Sequence, residues 1–279
     1  MTVLEVLQST SAYFKKRGVE SARLNAEHLL AHALGRKRIE LYLDFDRVLA
    51  EAELAPLREL VRRRGLGEPL QHLLGTVEFC GHTFLCDRRA LIPRPETEEL
   101  VELLIAECGN RKPERILDVG TGSGVIALCL AVALPEAVVH ALDSSKDALA
   151  LARENAARLG LAERVEFIES DLLTAVTHGY DLIAANLPYV AESERGQVSR
   201  EVLHDPAVAV FAGATGEEVM RRLIETAPAH LNTGGLLALE IGIGQAESLA
   251  AFLAARNYRD ISQRHDSAGV TRFLLARYG

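Results

Sequence analysis

The spacing of apolar positions changes character near residue 75. Before it, apolar residues recur every three or four positions, as on one face of a helix. Val3, Leu4, Leu7, Tyr13 and Phe14 lie near one face of "TVLEVLQSTSAYFKKRG", which ends in basic residues and Gly18. "ESARLNAEHLLAHALG" offers Ser21 as a cap, repeats the pattern with Leu24, Leu29, Leu30 and Ala33, and closes at Gly35. "AEAELAPLRELVRRRG" follows the same plan before Glu68-Pro69 breaks it. These runs predict a small helical bundle over residues 1–75.

"TVEFCGHTFLCD" then alternates weakly around Gly81, which predicts a hairpin within a linker spanning residues 76–92. In "LIPRPETEEL" two prolines fix a loop, after which Glu96 or Thr97 starts a helix. From Arg115 onward strand and helix signals take turns. "RILDVG", "AVVHALD", "VEFIES", "YDLIAANL" and "GLLALEIG" read as strands; "GVIALCLAVAL" and "SKDALALARENAARLG" read as helices. That alternation predicts a parallel α/β sheet covered on both faces, in a domain over residues 93–279. "YRDISQRHD" and "VTRFLLARYG" lack a helix between them and predict a C-terminal antiparallel hairpin added to the sheet.

Bulk properties narrow the classes. A net charge of −8 disfavours a large nucleic-acid footprint, since phosphate binding wants a basic field. No direct nucleic-acid partner is expected. Neither a leader pattern nor a membrane-length apolar run is present, so the expected setting is the cytoplasm and no membrane partner. The four cysteines, Cys80, Cys86, Cys108 and Cys129, lack metal spacing and read as reduced packing residues, and no metal is expected.

Candidate chemistry gathers at strand ends, where open α/β sheets bind ligands. Four successive strands end near polar residues: Asp118, Asp143, Asp171 and Asn186. The first runs into Gly120, Thr121, Gly122, Ser123 and Gly124. This spacing is not the dinucleotide fingerprint, and Asp118 before the glycines would repel a pyrophosphate. It suits a ligand with an ammonium group and no phosphate, such as S-adenosylmethionine. Asp143 is placed to accept from both ribose hydroxyls, with a helix cap as the competing reading. Asp171 is placed to accept from an adenine amine, with Leu172 packed on the ring.

The fourth strand ends in Asn186-Leu187-Pro188-Tyr189. An amide or aniline-like nitrogen is a poor nucleophile, and no base removes its proton near neutrality. Geometry can help where basicity cannot. The Asn186 oxygen and the Leu187 carbonyl can each accept one N–H, turning the nitrogen's π face toward a methyl donor. Pro188 holds Leu187 extended, and Tyr189 can stack on the flat group. Asn186 and Tyr189 are therefore the candidate catalytic residues.

At these motifs the sequence resembles the protein-(glutamine-N5) methyltransferases that modify peptide chain release factors. The likeness spans nearly the whole chain, through "SARLNAEHLLAHALG", "EPLQHLLGTVEFCGHTF", "LIPRPETEELVE", "ILDVGTGSGVIALCLA", "NLPYV" and "DPAVAVFAG". It implies a Rossmann-like, S-adenosylmethionine-dependent methyltransferase domain behind a helical release-factor-binding domain. It implies cofactor contacts from Gly120–Gly124, Asp143, Leu172 and Asn186. It also implies that residues Asn186–Tyr189 hold the glutamine of a Gly-Gly-Gln loop, with Arg94 and Glu96 lining its channel. The family usually has proline where Leu187 stands. N-[LI]-P-Y also marks adenine methyltransferases of ribosomal RNA, but those lack "IPRPETE" and carry a basic domain. A non-catalytic binder of the same cofactor would need no NLPY, and a dinucleotide oxidoreductase would need other loop spacing.

Overall fold

The computed structural model describes every residue except Asn110. Two compact units emerge, one of Met1–Thr76 with Ser199–His204, the other of Val77–Val198 with Asp205–Gly279.

The first unit contains α1 (Val3–Lys16), α2 (Ala22–Ala33), α3 (Arg38–Leu41), α4 (Glu51–Gly65) and α5 (Leu70–Leu74). Thr2 and Glu5 form a reciprocal capping box at the start of α1. Val3, Leu7 and Phe14 on its buried face pack with Leu29, Leu30 and Leu57. Ser21 does not cap α2 as its sequence position suggests. It is left-handed, with φ 45°, and its side chain makes no cap bond. Asn25 Nδ2 instead donates to the Glu20 and Ser21 carbonyls. The buried Arg64 donates to Asn25 Oδ1 at 2.7 Å, to the Glu68 carbonyl at 3.0 Å and to Glu201. It thereby fastens the Ser199–His204 segment to the helices of this unit.

In the second unit, β1 (Thr76–Phe79) and β2 (His82–Leu85) form the hairpin. Cys80 and Gly81 turn it with φ 46° and 73°, the two positive values that a tight hairpin turn demands. The hairpin belongs with this unit from Val77 onward. Helix α6 (Pro95–Cys108) starts on Pro95 at its first turn, ahead of Glu96 and Thr97. Then follow β3 (Arg115–Val119), α7 (Val125–Ala133), β4 (Val138–Asp143), α8 (Lys146–Arg158), β5 (Val165–Glu169), β6 (Tyr180–Asn186), α9 (Ala207–Val210), α10 (Glu218–Thr226), β7 (Leu231–Glu240), α11 (Ala246–Ala254), β8 (Tyr258–His265) and β9 (Thr271–Tyr278).

The seven strands lie in the order β5-β4-β3-β6-β7-β9-β8. The first five are parallel, and β9 runs antiparallel to both β7 and β8. The sheet is thus mostly parallel with an antiparallel C-terminal hairpin. Its strands are nearly continuous apolar runs because both faces are covered. Ile116, Leu182 and Ala184 pack toward Leu100 and Leu128 of α6 and α7. Leu117, Ile183 and Ala185 pack toward Leu223 and Leu249 of α10 and α11. The chain leaves β3 toward β5 and later returns to β6 on the other side of β3. That reversal opens a crevice at the carboxyl ends of β3 and β6, where such sheets bind ligands. Among the described residues no helix is long and apolar enough to cross a membrane.

Candidate active site

The crevice is a cavity of about 360 Å³, within the range of small-molecule sites. Of the residues singled out from sequence, it is lined by Arg94, Gly120, Thr121, Gly122, Ser123, Asp143, Asp171, Leu172, Asn186, Leu187 and Pro188. Asp118, Gly124, Glu96 and Tyr189 do not line it.

The three loop glycines serve different ends. Gly120 has φ +75°, and a Cβ there would lie 2.7 Å from Leu187 Cδ2. Its hydrogen is the space that Leu187 fills. Gly122 has φ +55° and open space, with nothing nearer than Ala90 Cβ at 3.8 Å. Its backbone is bare toward a ligand. Gly124 lets α7 approach α8, since its Cβ would lie 3.1 Å from that of Ala152.

Asp118 lies under this loop, fully buried. Its Oδ2 accepts from Thr121 Oγ1 at 2.6 Å and from the Ala127 N–H at 3.1 Å, which ties the loop to the first turn of α7. Its Oδ1 has no hydrogen-bond partner. Burial pushes this carboxyl up to about 7, only partly offset by the two hydrogen bonds. An ammonium group would relieve both defects at once.

Asp143 holds two backbone donors, Gly122 N–H at 2.9 Å and Ser145 N–H at 2.8 Å. It is not the cap of α8. Ser145 is, its hydroxyl accepting from the Ala148 N–H at 3.2 Å. Asp143 therefore shapes the glycine loop from the neighbouring strand, and each oxygen keeps a further lone pair. Asp171 is mostly exposed and pairs with Arg222 at 2.7 Å. Leu172 is left-handed, with φ 50°, a costly conformation for leucine. Ser170 holds it there by donating to the Leu172 carbonyl at 2.7 Å while accepting from the Ala175 N–H at 3.1 Å.

Asn186 ends β6 beside Glu240, which ends β7 in register with it. Its Nδ2 donates to Thr97 Oγ1 at 2.9 Å, and Thr97 Oγ1 donates to Glu240 Oε2 at 2.7 Å. The amide nitrogen is committed to the protein, so the oxygen is the atom left for a ligand. Tyr189 does not line the cavity. Its ring packs against Gly242, and its carbonyl accepts from Gln245 Nε2 at 3.0 Å. Arg94 pairs with the buried Asp205 at 2.6 Å while also lining the cavity. Ser170, Phe211 and Arg222 join the lining without having been singled out from sequence. Glu240 carried the same signal as the other four strand-end polar residues, a polar group closing an apolar strand. No group of three or more potential metal ligands occurs among the described residues, and Cys86, Cys108 and Cys129 are buried free thiols.

A sheet of this order with a glycine loop after its first strand defines a Rossmann-like methyltransferase. Residues 96–212 match the methyltransferase small domain, and residues 5–75 match the PrmC N-terminal domain. Solved structures share the fold. The catalytic domain of hMettl16 bound to an RNA hairpin superposes with a TM-score of 0.59 at 14% identity, over 81% of this chain and 82% of that one. The 16S rRNA N2 G1207 methyltransferase RsmC of T. thermophilus, solved with AdoMet and guanosine, gives 0.54 at 19% identity, over 73% and 50%. The chain belongs to the release factor glutamine methyltransferase family. The member from Geobacter sulfurreducens is 40% identical over all of this chain and 97% of its own length. The member from Deinococcus radiodurans is 40% identical over 99% of both chains.

Proposed function

We propose that the protein transfers the methyl group of S-adenosylmethionine to the side-chain amide nitrogen of the glutamine in the Gly-Gly-Gln loop of peptide chain release factors, in the cytoplasm. Full-length relatives carrying that activity in their name support the reading. The observation that carries it is the Asn186 amide, whose nitrogen is spent on Thr97 and whose oxygen remains to accept an N–H.

The residues present fit the cofactor. Asp118 has a buried oxygen without a partner, which suits the cofactor's ammonium. Gly122 offers bare backbone, and Asp143 offers lone pairs to hydroxyls. Ser170 presents Leu172 to a flat ring from its strained conformation. When bound, the sulfonium would supply an electrophilic methyl group, and the methylated nitrogen, made acidic by the new bond, would lose one N–H proton to water. The protein supplies position. Asn186 Oδ1 and the Leu187 carbonyl accept the two N–H groups of the glutamine amide. Pro188 restricts Leu187 to extended backbone, so that its carbonyl is set before substrate arrives. In this reading Tyr189 acts from behind, as packing for the tetrapeptide rather than as a stacking platform. Arg94 borders the channel, and Glu96 acts on the same region only through its charge. The helical unit holds the release factor. A glutamine side chain offers few atoms, so discrimination must come from contacts away from the reacting nitrogen.

The test is to incubate the protein with methyl-labelled S-adenosylmethionine and, in parallel, purified release factor or ribosomal RNA, then locate the label by peptide mass and by nucleoside analysis. Label on the Gly-Gly-Gln glutamine is expected. Label on ribosomal RNA and none on the release factor would overturn the reading in favour of an adenine methyltransferase.

A further inference from the structure

We propose that Thr97 and Glu240 are positioning residues whose buried hydrogen-bond chain sets which end of the Asn186 amide meets the substrate. The proposal rests on the reading of Asn186 as acceptor for the glutamine N–H.

A carboxamide has nearly the same shape after a half-turn about its last bond, but donor and acceptor change places. A substrate offering N–H groups is held by one orientation and repelled by the other. Something must therefore break the degeneracy. Packing cannot, because the two orientations occupy the same volume. A hydrogen-bond chain of fixed direction can.

The chain is Asn186 Nδ2 to Thr97 Oγ1 to Glu240 Oε2. Thr97 is 3% exposed and Glu240 1%, so water does not compete for its members. Direction follows from the carboxylate. An ionised carboxylate only accepts. Thr97 must spend its single proton on it and is left with lone pairs alone. Those lone pairs can be satisfied only by the NH2 end of Asn186, which points the amide oxygen elsewhere. Protonating Glu240 removes the constraint. The acid can then donate to Thr97, the Thr97 proton is free to reach Asn186, and the amide can reverse. No proton leaves the site in this rearrangement; the hydroxyl exchanges one hydrogen-bond donor role for another.

The surroundings place this change near neutrality. Burial dominates and pushes Glu240 up to about 7. Glu96 on α6 adds repulsion, while Arg272 on β9 and Arg94 ahead of α6 oppose it. The Tyr189 hydroxyl, beyond the end of β6, also faces Glu240; burial lifts it to about 12, so it stays neutral. The chain joins α6, β6 and β7; a purely structural link between them would make stability depend on pH but leave kcat of the folded enzyme without an acid limb tied to Glu240.

The test uses full-length variants. Thr97→Ser keeps the hydroxyl and should hold kcat within threefold of wild type. Thr97→Val keeps the shape, loses the hydroxyl, and should lower kcat tenfold or more with cofactor affinity unchanged. Wild type should lose kcat as pH falls below about 7. Glu240→Gln cannot ionise and can offer either end of its own amide to Thr97, so the direction is no longer forced: kcat should fall twofold or more and that acid limb should disappear. Wild-type kcat in Thr97→Val, or an unchanged acid limb in Glu240→Gln, overturns the proposal. Should Thr97→Val not fold, the serine variant and the Glu240→Gln profile still decide. Failure of wild type to methylate release factor would instead sink the functional reading. The relay is then judged by nitrogen-15 NMR of the Asn186 side chain. Its NH2 signal should shift with pH in wild type and not in Glu240→Gln; a signal with no such shift in wild type overturns the relay itself.

Discussion

Leu187 shows how a single side chain can be written into two motifs at once. Its carbonyl serves the substrate in the proposed mechanism, and its side chain fills the space left by the missing Cβ of Gly120. The residue is 4% exposed. A proline there, as the family usually has, keeps the carbonyl but shortens the apolar reach toward Gly120. Leu187→Pro should therefore leave kcat within severalfold of wild type. It should cost about 1–3 kcal/mol of stability through lost packing. Urea denaturation with the cofactor absent would show this, alongside turnover under saturating cofactor. Unchanged stability with lost turnover would mean that the side chain touches the substrate directly. The tetrapeptide's place at the end of a strand, beside the cavity, was legible from sequence because it depends on residue types a few positions apart. The contact with Gly120 was not, because 66 residues and three strands separate the partners along the chain.

At the scale of elements, strand ends carried most of what the sequence revealed. Asp118, Asp143 and Asn186 close three adjacent strands, and a polar residue stands out at the end of an apolar run. Glu240 closes the fourth in the same way, yet "GLLALEIG" reads simply as a strand. Its partner Thr97 reads as a helix start because a proline precedes it by two. Neither signal shows that α6 brings Thr97 against the end of β7. Asn155 is a similar case. It sits on α8, wholly buried, donating to the Ser123 carbonyl at 2.9 Å and accepting from the Leu85 N–H at 2.7 Å. It thus ties the hairpin to the glycine loop, a role no local pattern announces. Asp143 couples elements in the same manner, since its two oxygens hold the glycine loop and the entrance to α8. Asp143→Ala should therefore weaken the cofactor twice over, by removing acceptors and by loosening Gly122. A loss of at least tenfold in affinity by calorimetry is expected, given roughly 1.5–3 kcal/mol for a charged hydrogen bond. An unchanged dissociation constant would reduce Asp143 to a turn residue. Asp143→Asn, which keeps one acceptor, should fall between the two.

The whole molecule carries its buried carboxyls at a cost that depends on pH. Asp118 moves from an ordinary value of 3.8 to about 7 on folding. The folded state then binds more protons than the unfolded state between those values, so stability falls as pH rises through that window. The loss is complete above about 7 and absent below about 4. Asp118→Asn cannot ionise. Relative to wild type it should gain stability progressively across the window, by about 2–4 kcal/mol in total, as read by urea denaturation at several pH values. A constant offset at all pH would mean that Asp118 is not the group concerned. The same variant should bind the cofactor more weakly, because the unpartnered oxygen is what suits an ammonium group.

Substrate choice is also a property of the whole chain: periodicity predicts the helical unit, while a role for it in holding the release factor is implied by the family resemblance alone. The helical unit contributes no residue to the cavity lining. It does expose Ile39, Tyr42 and Leu43, at 68%, 46% and 82%. They fall at spacings of three and four across α3 and the turn after it, and so share one face. Apolar side chains grouped on one face are the kind of anchor that protein partners bury. If this unit holds the release factor, Ile39→Asp with Leu43→Asp should raise KM for intact release factor tenfold or more. Neither residue packs in the core of the unit, so melting temperature and cofactor affinity should stay near wild type. A short Gly-Gly-Gln peptide, already a poor substrate, should be methylated at the wild-type rate, because it never used that face. Equal losses on peptide and protein would place the effect at the catalytic residues and refute the division of labour. No loss on either would leave release-factor recognition to some other surface of the chain.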